Sequence, residues 1–336
     1  MTGVRWGLLS TANIGATVVQ ATRDSEATQF VAVASRDEGK SRQFADRVGL
    51  DQSFGSYEAM VASDTVDAIY VALPVSMHTE WTVKALQAGK HVLCEKPFAT
   101  TAADTTRCFD AAEQENRLCV EGLMYRYHPQ TQLALELIAQ GSIGTLSNVR
   151  SALSVSVAPG DIRRIRALGG GALLDLGCYC VSAARLFAGQ PERVYAERVL
   201  DSGHDPADLR MSATLKMPDD VLAQFDIGLD LPRRDELELI GTDGKIVISD
   251  PWICRGTTVE LWRDGHRQHL PVDLAGTPGL GDDEDAVYRL EFDRVSAAIA
   301  GGAPLPFGRE DAIAQARVLE GLLESSQRGE RVVLNH

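Results

Sequence analysis

The 336-residue chain lacks the short patterns that mark metal and redox centres. Its six cysteines, Cys94, Cys108, Cys119, Cys178, Cys180 and Cys254, form no CxxC pair and keep no regular spacing. That argues against a disulfide framework and for free thiols in a reducing cytoplasm. The seven histidines form no HxxxH or HxxE cluster, so no metal is expected. No apolar run approaches the roughly 20 residues of a membrane-spanning helix. Positive charge is in deficit: 33 Lys and Arg stand against 47 Asp and Glu, a formal net charge of -14. This argues against nucleic acid and anionic membrane as partners. An anionic cofactor stays compatible, because backbone donors and a few cations make a local site. Residues 1–6 read as the start of a strand rather than a signal peptide, and a cytoplasmic location is expected. There is no internal repeat and no low-complexity segment.

What is present is enough chain for two domains, with 44% hydrophobic and 24% charged residues, an ordinary globular composition. Residues 1 to 122 alternate strand and helix. Strands are expected near 4–10, 30–34, 66–73, 91–94 and 118–123, and helices over 13–22, 38–48, 80–88 and 101–115. Pro74 stops the third strand, Gly89 the third helix, and Thr101 with Asp104 stand at capping-box spacing. This alternation predicts an α/β, doubly wound, Rossmann-like domain on a parallel sheet. From 123 to 336 the pattern changes. A helix over 129–139 and another over 172–187 accompany strands near 149–157, 193–199, 211–216, 222–227, 237–240, 246–249 and 259–262. Short turns such as 217–220 and 241–244 predict an α+β domain with one open antiparallel sheet. Two helices, 285–300 and 310–325, close the chain. The acidic run 282–285 reads as a solvated loop and helix start.

Three places carry chemistry. The first strand runs into Ser10, Thr11, Ala12, Asn13, Ile14 and Gly15, where only the third glycine of a GxGxxG frame survives. Strand–turn–helix context still makes this a pyrophosphate turn, with backbone N–H groups and a helix dipole as donors; a plain tight turn is the alternative. At the tip of the second strand stand Ser35 and Arg36, with Lys40 one turn on, a hydroxyl and cations suited to a 2′-phosphate. They favour NADP, while Asp37 keeps NAD open. The fourth strand ends in Cys94-Glu95-Lys96-Pro97, which puts a lysine at the carboxyl edge of the sheet, or else makes only a solvated turn.

Together with Leu73-Pro74 and His78, Met124-Tyr125-Arg126-Tyr127-His128-Pro129, and Gly169-Gly170-Gly171 through Tyr179, these residues resemble the Gfo/Idh/MocA oxidoreductase family over essentially the whole chain. The branch most similar holds dihydrodiol dehydrogenase and NADP-dependent D-xylose dehydrogenase; it carries tyrosine where many relatives of Tyr179 carry histidine. The resemblance implies a bound dinucleotide, with Ser10 to Ile14, Ser35, Arg36, Lys40, Leu73, Pro74, His78, Glu95 and Lys96 as its contacts. It implies that Lys96 touches nicotinamide ribose and substrate, that Tyr179 handles the proton, and that the Lys96–Pro97 bond is cis. Ser10, Ala12 and Val75 depart from the family pattern.

The residues themselves suggest a hydride-transfer enzyme in which the nicotinamide carries the electron pair. Asp175 and Tyr179 are four apart on the helix after the glycine run, hence on one face. A tyrosine titrates near 10, and a neighbouring ammonium, Lys96, lowers that value. Tyr179 then exchanges the hydroxyl proton, Asp175 orients substrate hydroxyls, and Glu95 holds Lys96 or packs at the domain edge. Tyr125 and Arg126 fall at the domain junction and Arg163 in a nearby loop, as substrate residues; an interdomain tie for Arg126 and a surface cation at Arg163 are the alternatives. Trp252 reads as core or interface. The expected activity is an NADP-dependent dehydrogenase or reductase of a sugar, cyclic polyol or related hydroxy or keto compound. Dihydrodiol or sugar-nucleotide keto reduction, and a non-catalytic dinucleotide sensor, are the alternatives. An open sheet face predicts a homodimer or homotetramer.

Overall fold

The computed structural model describes residues 3–202, 204–274 and 285–334; the acidic residues 282–284 lie outside them. The chain forms two compact units, residues 1–124 with 285–313, and residues 125–284 with 314–336.

The first unit is built on strands β1 (Val4–Leu9), β2 (Thr28–Ala34), β3 (Gln52–Phe54), β4 (Ala68–Val71), β5 (His91–Glu95) and β6 (Cys119–Gly122). All pair in parallel in the order β3-β2-β1-β4-β5-β6. The order reverses between β1 and β4, and loops leaving the carboxyl ends diverge there to leave a crevice. Helices α1 (Asn13–Ala21), α2 (Glu38–Val48), α3 (Tyr57–Val61), α4 (Val75–Gln87) and α5 (Ala102–Gln114) connect the strands. The Thr101–Asp104 capping box forms, with the Asp104 N–H donating to Thr101 Oγ1 at 3.0 Å. β3 and α3 escape the periodicity argument because they are three and five residues long. Helix α4 starts five residues before the expected 80, because Pro74, at φ -55, begins the helix as well as ending the strand region.

The reading of 123–336 as one domain meets a different division, because α8 (Ala286–Ile299) belongs to the first unit. Its Phe292 meets Trp6, Phe30 and Tyr70 with ring centroids 5.1 Å apart in each case. Trp6 Nε1 donates to Ser296 Oγ at 2.9 Å. A single apolar face of the parallel sheet recruits this helix from far along the chain.

The second unit carries α6 (Pro129–Ala139), β7 (Leu146–Ser156), a π-helical turn at Leu173–Gly177, α7 (Cys178–Ala188), β8 (Arg193–Leu200), β9 (Asp208–Lys216), β10 (Leu222–Gly228), β11 (Asp230–Gly241), β12 (Gly244–Ile248), β13 (Thr258–Arg263) and β14 (His266–Pro271). Helix α9 (Arg309–Arg328), whose residues from 314 onward belong to this unit, and β15 (Val332–Val333) follow. The nine strands order as β14-β13-β12-β11-β7-β10-β9-β8-β15. All pairs are antiparallel except β7 with β10, which run parallel, so the sheet is mixed rather than purely antiparallel. The long connection through α7 permits that pairing, as crossovers do. Strands β8 and β9 alternate buried and exposed residues, so one face packs under helix and the other does not. The helical stretch Arg166–Ala188 is long and apolar enough to cross a membrane by length and composition, but 78% of its apolar window is buried in the protein, as in a core helix. Its charges, Arg166, Asp175 and Arg185, break the run when residues are read one by one.

Candidate active site

The carboxyl edge of the parallel sheet gathers most of the residues singled out in the first unit. Ser10 follows β1 with φ 115, a conformation that glycine adopts freely and serine does not. Its hydroxyl donates to Ala72 O at 2.7 Å and accepts the Ala12 N–H at 3.1 Å, while its own N–H reaches Ala34 O at 3.1 Å. Side-chain hydrogen bonds thus hold the bend that the first glycine of the fingerprint gives other chains. Gly15 survives for packing: a Cβ there would lie 2.4 Å from Leu8 Cδ2. Helix α1 has no side-chain cap and no acidic residue in its first turn. Its leading N–H groups and the positive end of its dipole therefore suit an anion, and Ala12 adds only a methyl. The turn fits a dinucleotide pyrophosphate.

At the tip of β2, the Asp37 carboxylate accepts the Lys40 N–H at 3.0 Å and caps α2. That commits one oxygen of the acid otherwise suited to a ribose diol to the helix start. Ser35 Oγ accepts the Asp37 N–H at 3.2 Å, and the Arg36 and Lys40 side chains are exposed. A 2′-phosphate suits this tip better than a free ribose diol does.

Beyond β5 the Lys96–Pro97 bond is cis. Glu95 accepts the Tyr70 hydroxyl and, at 3.1 Å, the Lys96 N–H. It holds the backbone on which Lys96 stands. Behind it lies Glu291 of α8, 2% exposed. One Glu291 oxygen is buried with no hydrogen-bond partner among the described residues. Burial first, then the Glu95 and Glu121 carboxylates, push its carboxyl well above the ordinary range. Burial beside the Glu95 carboxylate therefore favours the neutral form of Glu291.

His78 lies in the first turn of α4, 1% exposed. Its Nε2 is 2.8 Å from Leu73 O and its Nδ1 3.0 Å from Pro97 O. The ring ties the end of β4 to the Lys96–Pro97 turn. Burial lowers its pKa, with nearby Lys96 acting the same way, against the opposing pull of the carbonyls. Leu73 is buried and Pro74 forms the N-cap of α4.

In the second unit Tyr179, 8% exposed, packs its ring against Tyr125 and Trp252, at centroid distances of 6.1 and 5.8 Å, and those two rings meet each other at 5.7 Å. Tyr125 OH meets Ser182 Oγ at 2.6 Å, and Arg126 Nε donates to the same oxygen at 2.8 Å. Tyr125 and Arg126 are buried, so they support the helix under Tyr179. Ser182 is one turn beyond Tyr179, a signal the sequence offered and its reading passed over. Trp252 is core, fully buried, with Nε1 donating to Ala152 O at 3.2 Å. Arg163 grips Asp161 through two bonds, 3.0 and 2.9 Å, and also feels the Asp175 charge. Asp175 lies in the π turn and is half-buried. The single α-helix expected over 172–187 is therefore a π turn followed by α7. All six cysteines are free and buried, in keeping with the reading of free thiols. Among the described residues no group of His, Cys, Asp and Glu could hold a metal ion.

Comparison with known proteins agrees with both halves of this arrangement. Residues 4–123 match the oxidoreductase family with an NAD-binding Rossmann fold, and residues 131–247 match the GFO/IDH/MocA C-terminal domain. The chain is 35% identical over 334 residues to a D-xylose 1-dehydrogenase (NADP(+)) of Haloferax volcanii, covering 98% of this chain and 99% of the other. The chain belongs to the Gfo/Idh/MocA family. Another member, a dTDP-3,4-didehydro-2,6-dideoxy-alpha-D-glucose 3-reductase of Saccharopolyspora spinosa, is 37% identical over 247 residues, 73% of this chain and 74% of that one. Among solved Gfo/Idh/MocA structures, KijD10, a 3-ketoreductase from Actinomadura kijaniata in complex with NADP and TDP-benzene, matches at TM-score 0.85 and 29% identity, over 96% of this chain and 98% of its own.

The Ser10 turn generates a test of its own. Ser10→Ala keeps the unfavourable φ and loses both side-chain bonds, and should lower the unfolding free energy by about 1–3 kcal/mol. Ser10→Gly loses the same bonds but accepts the conformation, and should lose less. Urea unfolding of both variants checks this; a glycine variant less stable than the alanine one would contradict it.

Proposed function

We propose that the chain is an NADP-dependent oxidoreductase acting at a CH–OH or C=O carbon of a sugar, cyclic polyol or related compound. The observation that carries the reading is the carboxyl edge of the parallel sheet, where the uncapped α1 N-terminus, the basic β2 tip and the Glu95-Lys96 end of β5 share one edge, with β1 beside β2 and β4 between β1 and β5. The coenzyme would be held by Ser10, Thr11, Ala12, Asn13 and Ile14 at its pyrophosphate. Ser35, Arg36 and Lys40 would take the 2′-phosphate. Leu73, Pro74, His78, Glu95 and Lys96 would serve the nicotinamide end. When bound, the nicotinamide supplies or accepts the hydride.

The protein's own work is position and proton traffic. Tyr179 gives a proton to the substrate oxygen in reduction and takes it in oxidation. The Lys96 ammonium favours the phenolate and brings the phenol toward working pH. Asp175 orients substrate hydroxyls, and Arg163 with its Asp161 partner borders them. Tyr125 and Arg126 steady the helix through Ser182. The relatives support this reading. One is named an NADP-dependent xylose dehydrogenase, others, from Danio rerio and Homo sapiens, trans-1,2-dihydrobenzene-1,2-diol dehydrogenases, and KijD10 was also solved as tyrosine-to-phenylalanine and lysine-to-alanine variants. The protein is proposed to work in the cytoplasm.

Its second unit is proposed to pair with another copy through the free face of the nine-stranded sheet. A 550 Å³ groove on that face is lined by Arg150, Glu238, Arg234 and Asp226 among others. Such mixed charges suit a self-complementary contact. Sedimentation should give a mass at least twice the 36.3 kDa chain, and a monomer at micromolar concentration would reject the pairing.

A panel of aldoses, inositols, cyclic diols and a nucleotide-linked keto sugar, assayed with NADP and NAD, tests the activity. Coenzyme binding without turnover of any of them would favour a sensor. Tyr179→Phe should cut kcat by about 100- to 10,000-fold with coenzyme affinity retained. Lys96→Met should move the low-pH limb of the oxidation rate, where the phenolate base is lost, to higher pH, since the phenol then loses its cation. Arg36→Ala with Lys40→Ala should raise KM for NADP by about 10- to 100-fold and leave that for NAD near its starting value.

A further inference from the structure

The helix that bears Asp175 and Tyr179 has no cap of its own. Neither Ala172, before the π turn, nor Gly177, before α7, makes a side-chain capping bond. The missing acceptor arrives from 35 residues downstream: Asp208 Oδ2 accepts the Leu173 N–H at 2.6 Å. Asp208 opens β9 and is 5% exposed. Beside it the pairing of β9 with β8 shifts register between Val199 and Leu200. The strand on its other side, β10, follows β9 in regular antiparallel pairs. The carboxylate thus stands at the start of β9, at the register shift with β8 and two residues before the first β10 pair, at Arg210.

The glycine run exists around this carboxylate. Gly171 has φ 136, and a Cβ there would lie 2.2 Å from Asp208 Oδ1. Conformation and space both exclude a side chain. The Gly171 N–H reaches Arg163 O at 2.8 Å, and the Asp175 N–H reaches Gly171 O at 2.9 Å. One acid therefore fixes the first turn, and that turn fixes the backbone of Asp175 and the loop of Arg163. Burial pushes the Asp208 carboxyl up, against the Leu173 and Asp208 N–H groups and the Arg198 and Arg166 charges. A helix start one residue early or late would rotate every following side chain by about 100°. A π turn, with its i→i+5 bonds, is one such displacement, so the point of anchorage decides where Tyr179 faces.

We propose that Asp208 is the positioning residue for Asp175 and Tyr179, setting the register of their helix from the sheet. The inference rests on the reading of Tyr179 as proton carrier. The full-length protein with NADP is assayed as D208N, D208A and D208E beside Y179F. D208A should lower kcat about 10- to 100-fold, the loss expected of a misplaced catalytic group, with coenzyme Kd within twofold. D208N, which keeps an acceptor oxygen, should recover kcat to within fivefold. D208E, whose carboxylate is one methylene too long for the 2.6 Å bond, should lose more than D208N. The low-pH limb of the oxidation rate should move to higher pH in D208A and D208E, a change that lost stability alone does not produce. If D208A does not fold, D208N and D208E decide. Unchanged kcat and unchanged pH limb in the folded variants would overturn the inference. Near-normal turnover in Y179F would instead overturn the reading of Tyr179, whatever the Asp208 variants do.

Discussion

The bend at Ser10 is the constraint on which the first unit's chemistry depends. There β1 must turn sharply enough for α1 to offer its uncapped N–H groups above the carboxyl edge of the sheet. A serine holds that bend at φ 115 by bonding to Ala72 and Ala12. Without it, the end of β1, the tip of β2 and the end of β4 lose their common tie. With it, a backbone anion site is preformed and needs no cationic side chain of its own. A chain of net charge -14 can thereby take an anionic coenzyme.

The same device recurs in the second unit with a different residue. There a buried carboxylate, Asp208, holds a glycine turn at φ 136 and so starts the helix of Asp175 and Tyr179. In both places a short polar side chain stabilises backbone that has few other reasons to adopt its shape. Around Lys96 the support is more extensive. His78 bridges Leu73 and Pro97, and Tyr70 and Glu95 secure the lysine's own amide. Lys96 belongs to a turn supported from three elements, β4, α4 and β5.

Much of this was legible in the residue order. The alternation to residue 122, the capping box at Thr101, the basic tip at Ser35-Arg36 and the Glu95-Lys96-Pro97 strand end are local patterns with local causes. The alternation reads correctly because burial on both faces of a parallel sheet leaves little freedom in composition. β3 and α3 were missed for the opposite reason: three and five residues carry too little periodicity. The parallel pairing of β7 with β10 was missed because short turns say which strands are neighbours in sequence, not in space.

Sequence alone settled the class of protein: the two kinds of unit, the family and the residue types at the edge of the sheet. Those follow from periodicity and from motifs whose parts lie within a few residues of one another. Tertiary structure alone decided the rest. Glu291 comes to lie behind Glu95, Phe292 closes the Trp6 cluster, and Asp208 reaches Leu173. Each is an unremarkable residue in its own segment, and acquires its role only when folding removes water and brings a distant partner within bonding distance.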